Sequence, residues 1–180
     1  MTISLQPYVD ETVDLIAFLT GQVWPFHGTA TITETTAREQ IENGRYDSGT
    51  EHKTFWIIKD DSDKVGLLRV YDLEDPTPLF DIRIGERHSG QGYGLQAVKK
   101  LVEYIFTNYD DKIRIEGNTR ADNFAMRKTF HNAGFVKEAV HRQSWPSEDG
   151  RIHDSIGYAI LRGDWMEGTT TQIDWTDFPY

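Results

Sequence analysis

Cysteine is absent from the 180 residues, which removes a disulfide framework, a thiolate metal centre and a cysteine nucleophile together. A cytoplasmic location is the simple expectation. Positive charge is scarce: 19 lysines and arginines face 29 acidic residues, a formal net charge of -10. That balance argues against nucleic acid and anionic membranes as partners and suits a cationic substrate, although it also serves plain solubility. No apolar run approaches the length of a membrane span, and Met1 to Tyr8 combine neither a basic start nor an apolar core. Internal repeats, low-complexity tracts and linkers are missing as well, so one domain is expected, large enough to bury a core.

What is present is organised around Leu79 to Tyr109. Leu79 to Ile84 interleaves apolar residues with Asp81 and Arg83, the pattern of a half-buried strand. Arg87 to Gly94 is loop chemistry, with Gly90, Gly92 and Gly94 close together. From Tyr93 onward, Ala97, Val98, Leu101, Val102, Ile105 and Phe106 recur at helical spacing. A glycine loop opening a helix leaves unpaired amide N–H groups at the positive end of the helix dipole, where a phosphate fits. Two nucleotide patterns fail here. Only Tyr93 separates Gly92 from Gly94, against the dinucleotide fingerprint, and no Gly-Lys-Ser/Thr follows, against the Walker loop.

Arg-x-x-Gly-x-Gly does fit, on Arg87, Gly90 and Gly92, and resembles the pyrophosphate loop of the GNAT acetyltransferase superfamily. The segment Ile113 to Phe135, with Glu116, Asn123 and Gly134-Phe135 at their spacings, resembles the other half of that family's cofactor site, closest to the RimJ/RimL-like branch. The resemblance implies an α+β fold: a mixed, mostly antiparallel sheet split into a V, with helices on both faces, over residues 1–165. Residues 166–180 would be a tail packed on the domain or at a contact with a second copy in a homodimer. It implies acetyl-CoA as co-substrate and no metal. Pantetheine would run along the backbone of Ile82, Arg83 and Ile84, and pyrophosphate would sit on Arg87, Ser89, Gly90, Gln91, Gly92, Tyr93 and Gly94. Asn123 matches the asparagine that bonds the cofactor, and equally suits a helix cap. Phe130 stands at the cofactor where many members carry a tyrosine that protonates the leaving thiolate. Phenylalanine has no proton to give, which leaves water or the incoming amine.

Upstream, Ile3 to Leu5 reads as a strand, and Asp10 as the cap of a helix turning Val13, Ile16, Ala17 and Leu19 inward. Gln22 to Gly28 concentrates Trp24, Phe26 and His27, unusual for a plain loop. In the resembling family this connection lines the acceptor pocket, so all three are substrate candidates; packing onto the core is the other reading of Trp24 and Phe26. Thr33 or Thr35 caps a second helix, and Phe55–Ile58 and Val65–Tyr71 form a hairpin across an acidic turn too short of glycine and distal glutamate to be a calcium loop. Downstream, the expected elements are a strand over Lys112–Glu116, a helix over Asn123–Asn132 closed by Gly134, strands over Phe135–Ala139 and Ile152–Leu161, and a turn at Trp145–Gly150.

The implied activity is acetyl transfer from acetyl-CoA to a primary amine by direct attack, with a protein or peptide amino terminus as acceptor. Aminoglycosides or polyamines are the alternative. A thioester is already activated, so positioning, an oxyanion donor and a proton acceptor suffice. The backbone near Arg83 and Ile84 is the expected oxyanion donor. Glu116 is the first candidate base, with an ion pair to Arg114 or Arg83 as its competing role. Asp81, also placed at the substrate, is the fallback, and His27 is the third candidate. Two readings outside the enzyme remain: a silent acyl-CoA sensor using the same cleft, and an interaction domain presenting Trp24, Phe26 and the tail from Trp165.

Overall fold

Apolar runs that are continuous rather than alternating place the amino-terminal strands between two layers. The structure is a computed structural model describing residues 2–177. In it β1 (Ile3–Pro7), β2 (Lys53–Lys59), β3 (Asp63–Tyr71) and β4 (Leu79–Ile84) pair antiparallel in sequence order. β5 (Arg114–Arg120), β6 (Val136–Pro146) and β7 (Ile152–Leu161) complete seven strands in the order β1-β2-β3-β4-β5-β7-β6. Phe55 and Ile57 of β2 pack with α3 (Tyr93–Asn108), while Trp56 and Ile58 pack with α1 (Thr12–Thr20) and α2 (Glu34–Glu42) on the opposite face. Helices therefore cover both faces of a mixed, mostly antiparallel sheet, the expected α+β architecture. No helix among the described residues is long and apolar enough to cross a membrane.

β4 and β5 are the parallel neighbours, and they meet at one register pair, Leu79 with Glu116. Nearby, the amides of Ile113 and Glu116 donate to the carbonyls of Pro76 and Pro78, both at 3.0 Å. Beyond that point the strands part, and the sheet opens as a V toward their carboxyl ends. The closed end is filled by aromatic rings: Phe130 stacks on Tyr158 at 4.6 Å and lies 5.8 Å from Phe80 and 5.2 Å from Phe135. A Cβ at Gly117 would come within 2.6 Å of the Phe130 ring, so this strand position admits only glycine beside it.

Several boundaries differ from the sequence reading. Asp10 has φ +52°, and α1 starts after Glu11, whose carboxylate accepts from Trp56 Nε1 and Lys64. Leu15, Ile16 and Leu19 form the buried stripe, so Val13 and Ala17 fall on the solvent side. β5 runs on to Arg120 because β7 supplies an antiparallel partner from Arg114–Leu161 to Arg120–Ser155. For the same reason β6 extends through Trp145 and Pro146, past an irregularity at Gln143 (φ +53°), and the turn shrinks to Ser147–Arg151. α4 (Phe124–Asn132) has Asn123 as its cap and Gly134 at φ +90° just past its end. α5 (Arg162–Glu167) begins with Arg162, whose guanidinium bonds the carbonyls of Phe106, Tyr109 and Lys112 and so satisfies the end of α3. Trp165 packs on Phe106, and Asp164 accepts from Thr169 and Thr171, anchoring the first turn of the tail. Residues 178–180 of that tail lie outside the described residues.

Candidate active site

The glycine loop builds a cradle. Gly90 (φ +73°) and Gly92 (φ +83°) adopt a backbone conformation that favours glycine, and a Cβ at either would meet only open space. Gly92 is the residue before α3 and provides no side-chain cap, so the positive end of the helix dipole points out through the glycine loop, where an anion fits. Gln91 folds back on the loop, donating to the Arg87 carbonyl at 3.0 Å. The Arg87 guanidinium is exposed and reaches Asp63 at 3.7 Å. Tyr93 contributes only backbone here, because its ring is buried in the core.

The parting of β4 from β5 exposes backbone groups along one side of β4. Gly85 N–H donates to Val65 O, its directly opposed residue on β3. Alternation along an antiparallel ladder then turns the polar groups of Asp81 and Arg83 toward β3, and those of Ile82 and Ile84 toward the V. The backbone groups of Arg83, expected as a donor for the cofactor or the oxyanion, are thus turned to β3, whereas those of Ile82 and Ile84 face the V. A cleft of about 350 Å³ lies at this mouth, lined by Trp24, Phe26, His27, Ile84, Ser89 and Asn123 among others. Asn123 caps α4 through Met126 N–H and donates to Thr119, so the cap is one of its roles while its side chain still borders the cleft.

His27 also lines a second cleft, of about 370 Å³, with Asp81, Arg83, Arg69, Arg45 and Trp145. The imidazole Nε2 stands 3.2 Å from Asp81 Oδ1 and 3.3 Å from Ile82 O. Burial alone would raise the Asp81 pKa; the hydrogen bond from His27 and the charges of His27, Arg83 and Arg69 outweigh it, and the carboxyl is held far below the ordinary range. Trp24 is buried with its Nε1 on Leu19 O at 2.9 Å and its ring under the Arg83 guanidinium. Phe26 lies under Arg120, which also donates to Pro25 O at 2.8 Å and pairs with Asp122. Arg120 thus straps the loop of residues 22–28 to the carboxyl end of β5, across the mouth of the V.

A family model described as "Acetyltransferase (GNAT) domain" matches residues 3–136. The chain belongs to the GNAT acetyltransferases. N-acetyltransferase p20 of Bacillus licheniformis is 26% identical over 133 residues, covering 72% of this chain and 74% of that protein. Among solved structures, spermidine N-acetyltransferase from Vibrio cholerae, in complex with CoA and spermine, superposes with a TM-score of 0.79 at 15% identity, covering 92% of this chain and 98% of that one. RimL, a ribosomal alpha-N-protein acetyltransferase in complex with CoA, gives 0.73 at 17% identity, covering 89% and 94%. These structural likenesses carry the GNAT fold, and with the family match they make the protein an acyl-CoA-dependent acetyltransferase.

Within the GNAT frame the structure sorts the expected residues. Trp24, Phe26, His27, Ile84, Ser89 and Asn123 are brought to one cleft, beside the cradle of Gly90 to Gly94. Glu116 is set apart: it sits at the closed end of the V opposite Leu79, lines neither cleft, and is held by Arg114 Nε at 3.0 Å. Phe130 is 1% exposed inside the aromatic stack and likewise lines neither cleft. The sequence reading passed over Arg69 and Arg120. Arg69 carried a signal, a charge interrupting the apolar run of β3, whereas Arg120 was read as loop because the extension of β5 depends on β7.

Proposed function

We propose that this GNAT protein, as a member of the RimJ/RimL-like branch, moves the acetyl group of acetyl-CoA directly to a primary amine in a complex of both substrates, in the cytosol. Residues 1–165 act as the catalytic domain and residues 166–180 as a tail against it. The observation carrying this reading is that two clefts, one bordering the glycine cradle and one opening on the α2 side of the sheet, share His27. Acetyl-CoA, when bound, supplies an acyl carbon already activated as a thioester. The amides of α3 and of Gly90 to Gly94 hold its phosphates, and the N–H groups of Ile82 and Ile84 bond the pantetheine arm and the acyl oxygen.

His27 takes the role of base in place of Glu116. Both neighbours of Nε2, Asp81 Oδ1 and Ile82 O, are acceptors, so that nitrogen carries a proton whether or not the ring is charged, and it is the uncharged ring that serves as base. In that ring Nδ1 is the acceptor, buried and without a hydrogen-bond partner among the described residues, so the imidazole has to turn toward the cleft for Nδ1 to meet the amine. As the nitrogen–carbon bond forms and the carbon–sulfur bond breaks, Nδ1 takes the amine proton and water protonates the sulfur, Phe130 having none to give. An α-amino group, with a pKa near ~8, yields its proton more readily than a lysine near ~10.4. The arginine-lined cleft is hostile to a polyamine. Both points favour a peptide amino terminus as acceptor.

The test is thiol release from acetyl-CoA against peptides with free amino termini, polyamines and aminoglycosides, with calorimetry of coenzyme A binding in parallel. Peptides are expected to drive release, and His27→Asn to lower kcat by ~10²- to 10⁴-fold with coenzyme A affinity retained. Glu116→Gln is expected to stay within a few-fold of the parent. A His27→Asn protein with unchanged kcat and pH profile would remove the base. Tight coenzyme A binding with no acceptor-dependent release would favour the sensor.

A further inference from the structure

The second cleft holds more positive charge than its own residues neutralise. Arg69 and Asp81 oppose each other across β3 and β4, yet Arg69 makes no ion pair with it or with any described residue. Its guanidinium instead lies 5.5 Å from the ring of Tyr46 and 5.9 Å from that of Tyr71, and its Nε is buried without a hydrogen-bond partner. Arg83 has a side chain only 8% exposed; its Nε reaches Asp81 at 3.4 Å, while its Nη1 is buried and unpartnered among the described residues. Arg45 adds a third guanidinium at the rim, with no carboxylate in ion-pair range. Asp81 is the one carboxylate in the lining, and it already serves His27 and Arg83.

Buried guanidinium donors without acceptors are costly, and the cost disappears when an anion enters. Burial and the neighbouring Arg45 push the Arg69 pKa down more than the opposing charge of Asp81 raises it. The same cleft contains His27, the base proposed above. An anion on Arg69 and Arg83 is therefore only a few bonds from the reacting amine.

We propose that this pocket recognises a carboxylate carried by the acceptor itself, so that the acceptor is a primary amine with a carboxylate nearby. The inference rests on the acetyl-transfer reading above and narrows it. A planar carboxylate can take paired N–H donors from one guanidinium and a further donor from the next. Two sources share that chemistry: a free amino acid, and a peptide whose residue beside the amino terminus is acidic. The cationic acceptor suggested by the net charge of -10 is disfavoured by the local charge of this cleft.

The experiment compares kcat/KM for matched acceptors: serine with serinamide, the carboxyl-amidated peptides Ser-Asp with Ser-Asn, O-phosphoethanolamine with ethanolamine, and spermidine. Carboxylate acceptors should exceed their amide isosteres by ~10- to 100-fold, the worth of a charge-assisted hydrogen bond. Whether serine or the amidated Ser-Asp peptide leads separates the two sources. Arg69→Gln should reduce the carboxylate-to-amide ratio at least ~10-fold while coenzyme A affinity holds. Arg45→Gln, at an exposed position, should lower the ratio in the same direction. Preference for amide, phosphorylated or cationic acceptors overturns the proposal but leaves acetyl transfer standing, as does an Arg69→Gln effect equal on all acceptors. Absence of both coenzyme A binding and thiol release overturns the acetyl-transfer reading itself.

Discussion

Asp81 is the residue on which the candidate chemistry turns, because one carboxylate orients His27 and offsets Arg83. Its folded pKa is held below the ordinary value, with burial opposing and the His27 bond and the Arg83 and Arg69 charges prevailing. The linkage has a definite sign: the stabilisation is complete above the unfolded-state value near ~4 and is lost as pH falls toward the lower folded value. Asp81→Asn is expected to cost ~1–3 kcal/mol near neutral pH, since Arg83 is left without its counter-charge. The difference from the parent should shrink as urea denaturation is repeated from pH 5 down to pH 3. A difference that does not change with pH would mean the ionised carboxylate is not the stabilising species. Glu116 shows why identity was easier to read than placement. Its strand and family position were legible, but the proximity of Arg114 and the closed end of the V were set by pairing between distant segments.

At the scale of elements, what the sequence revealed was whatever its own neighbours determine. α3 was legible from a seven-residue apolar stripe and the cradle from its glycines, and α4 from Asn123 at one end and Gly134 at the other. β5 and β6 were read short because their extensions are held by β7, which lies far along the chain. The cradle makes a separate prediction about α3. At Gly92 a side chain meets no protein atom but must adopt φ +83° at the helix entrance. Gly92→Val is thus expected to lower stability by only ~1–3 kcal/mol, while its branched side chain occupies the space before the helix's amino-terminal end. Coenzyme A affinity should fall by more than tenfold, about 1.4 kcal/mol, in calorimetry on a protein whose circular dichroism is that of the parent. Unchanged affinity would move the phosphates elsewhere.

The whole molecule is two half-sheets joined along β4 and β5 by a single ladder pair, reinforced by α3 packing beneath and by Arg120 strapping the mouth. A split sheet turns strand N–H groups away from a neighbouring strand, and here those groups belong to Ile82 and Ile84, where pantetheine would lie as a substitute strand. Global and local charge point different ways: a formal -10 suits a cationic acceptor, yet Arg45, Arg69 and Arg83 converge on one cleft. If the cofactor completes the sheet, it binds the folded chain and not the unfolded one, so coenzyme A at about 100 times its Kd should add ~2.7 kcal/mol to stability. For a chain of this size that is a rise of about 5–10 °C in Tm. Hydrogen exchange should slow at the amides of Ile82 and Ile84, which face the V, and change least at Asp81 and Arg83, which already face β3. A Tm shift without protection at Ile82 and Ile84 would place the cofactor on the protein but outside the V, and the assignment of the β4 backbone would fall with it.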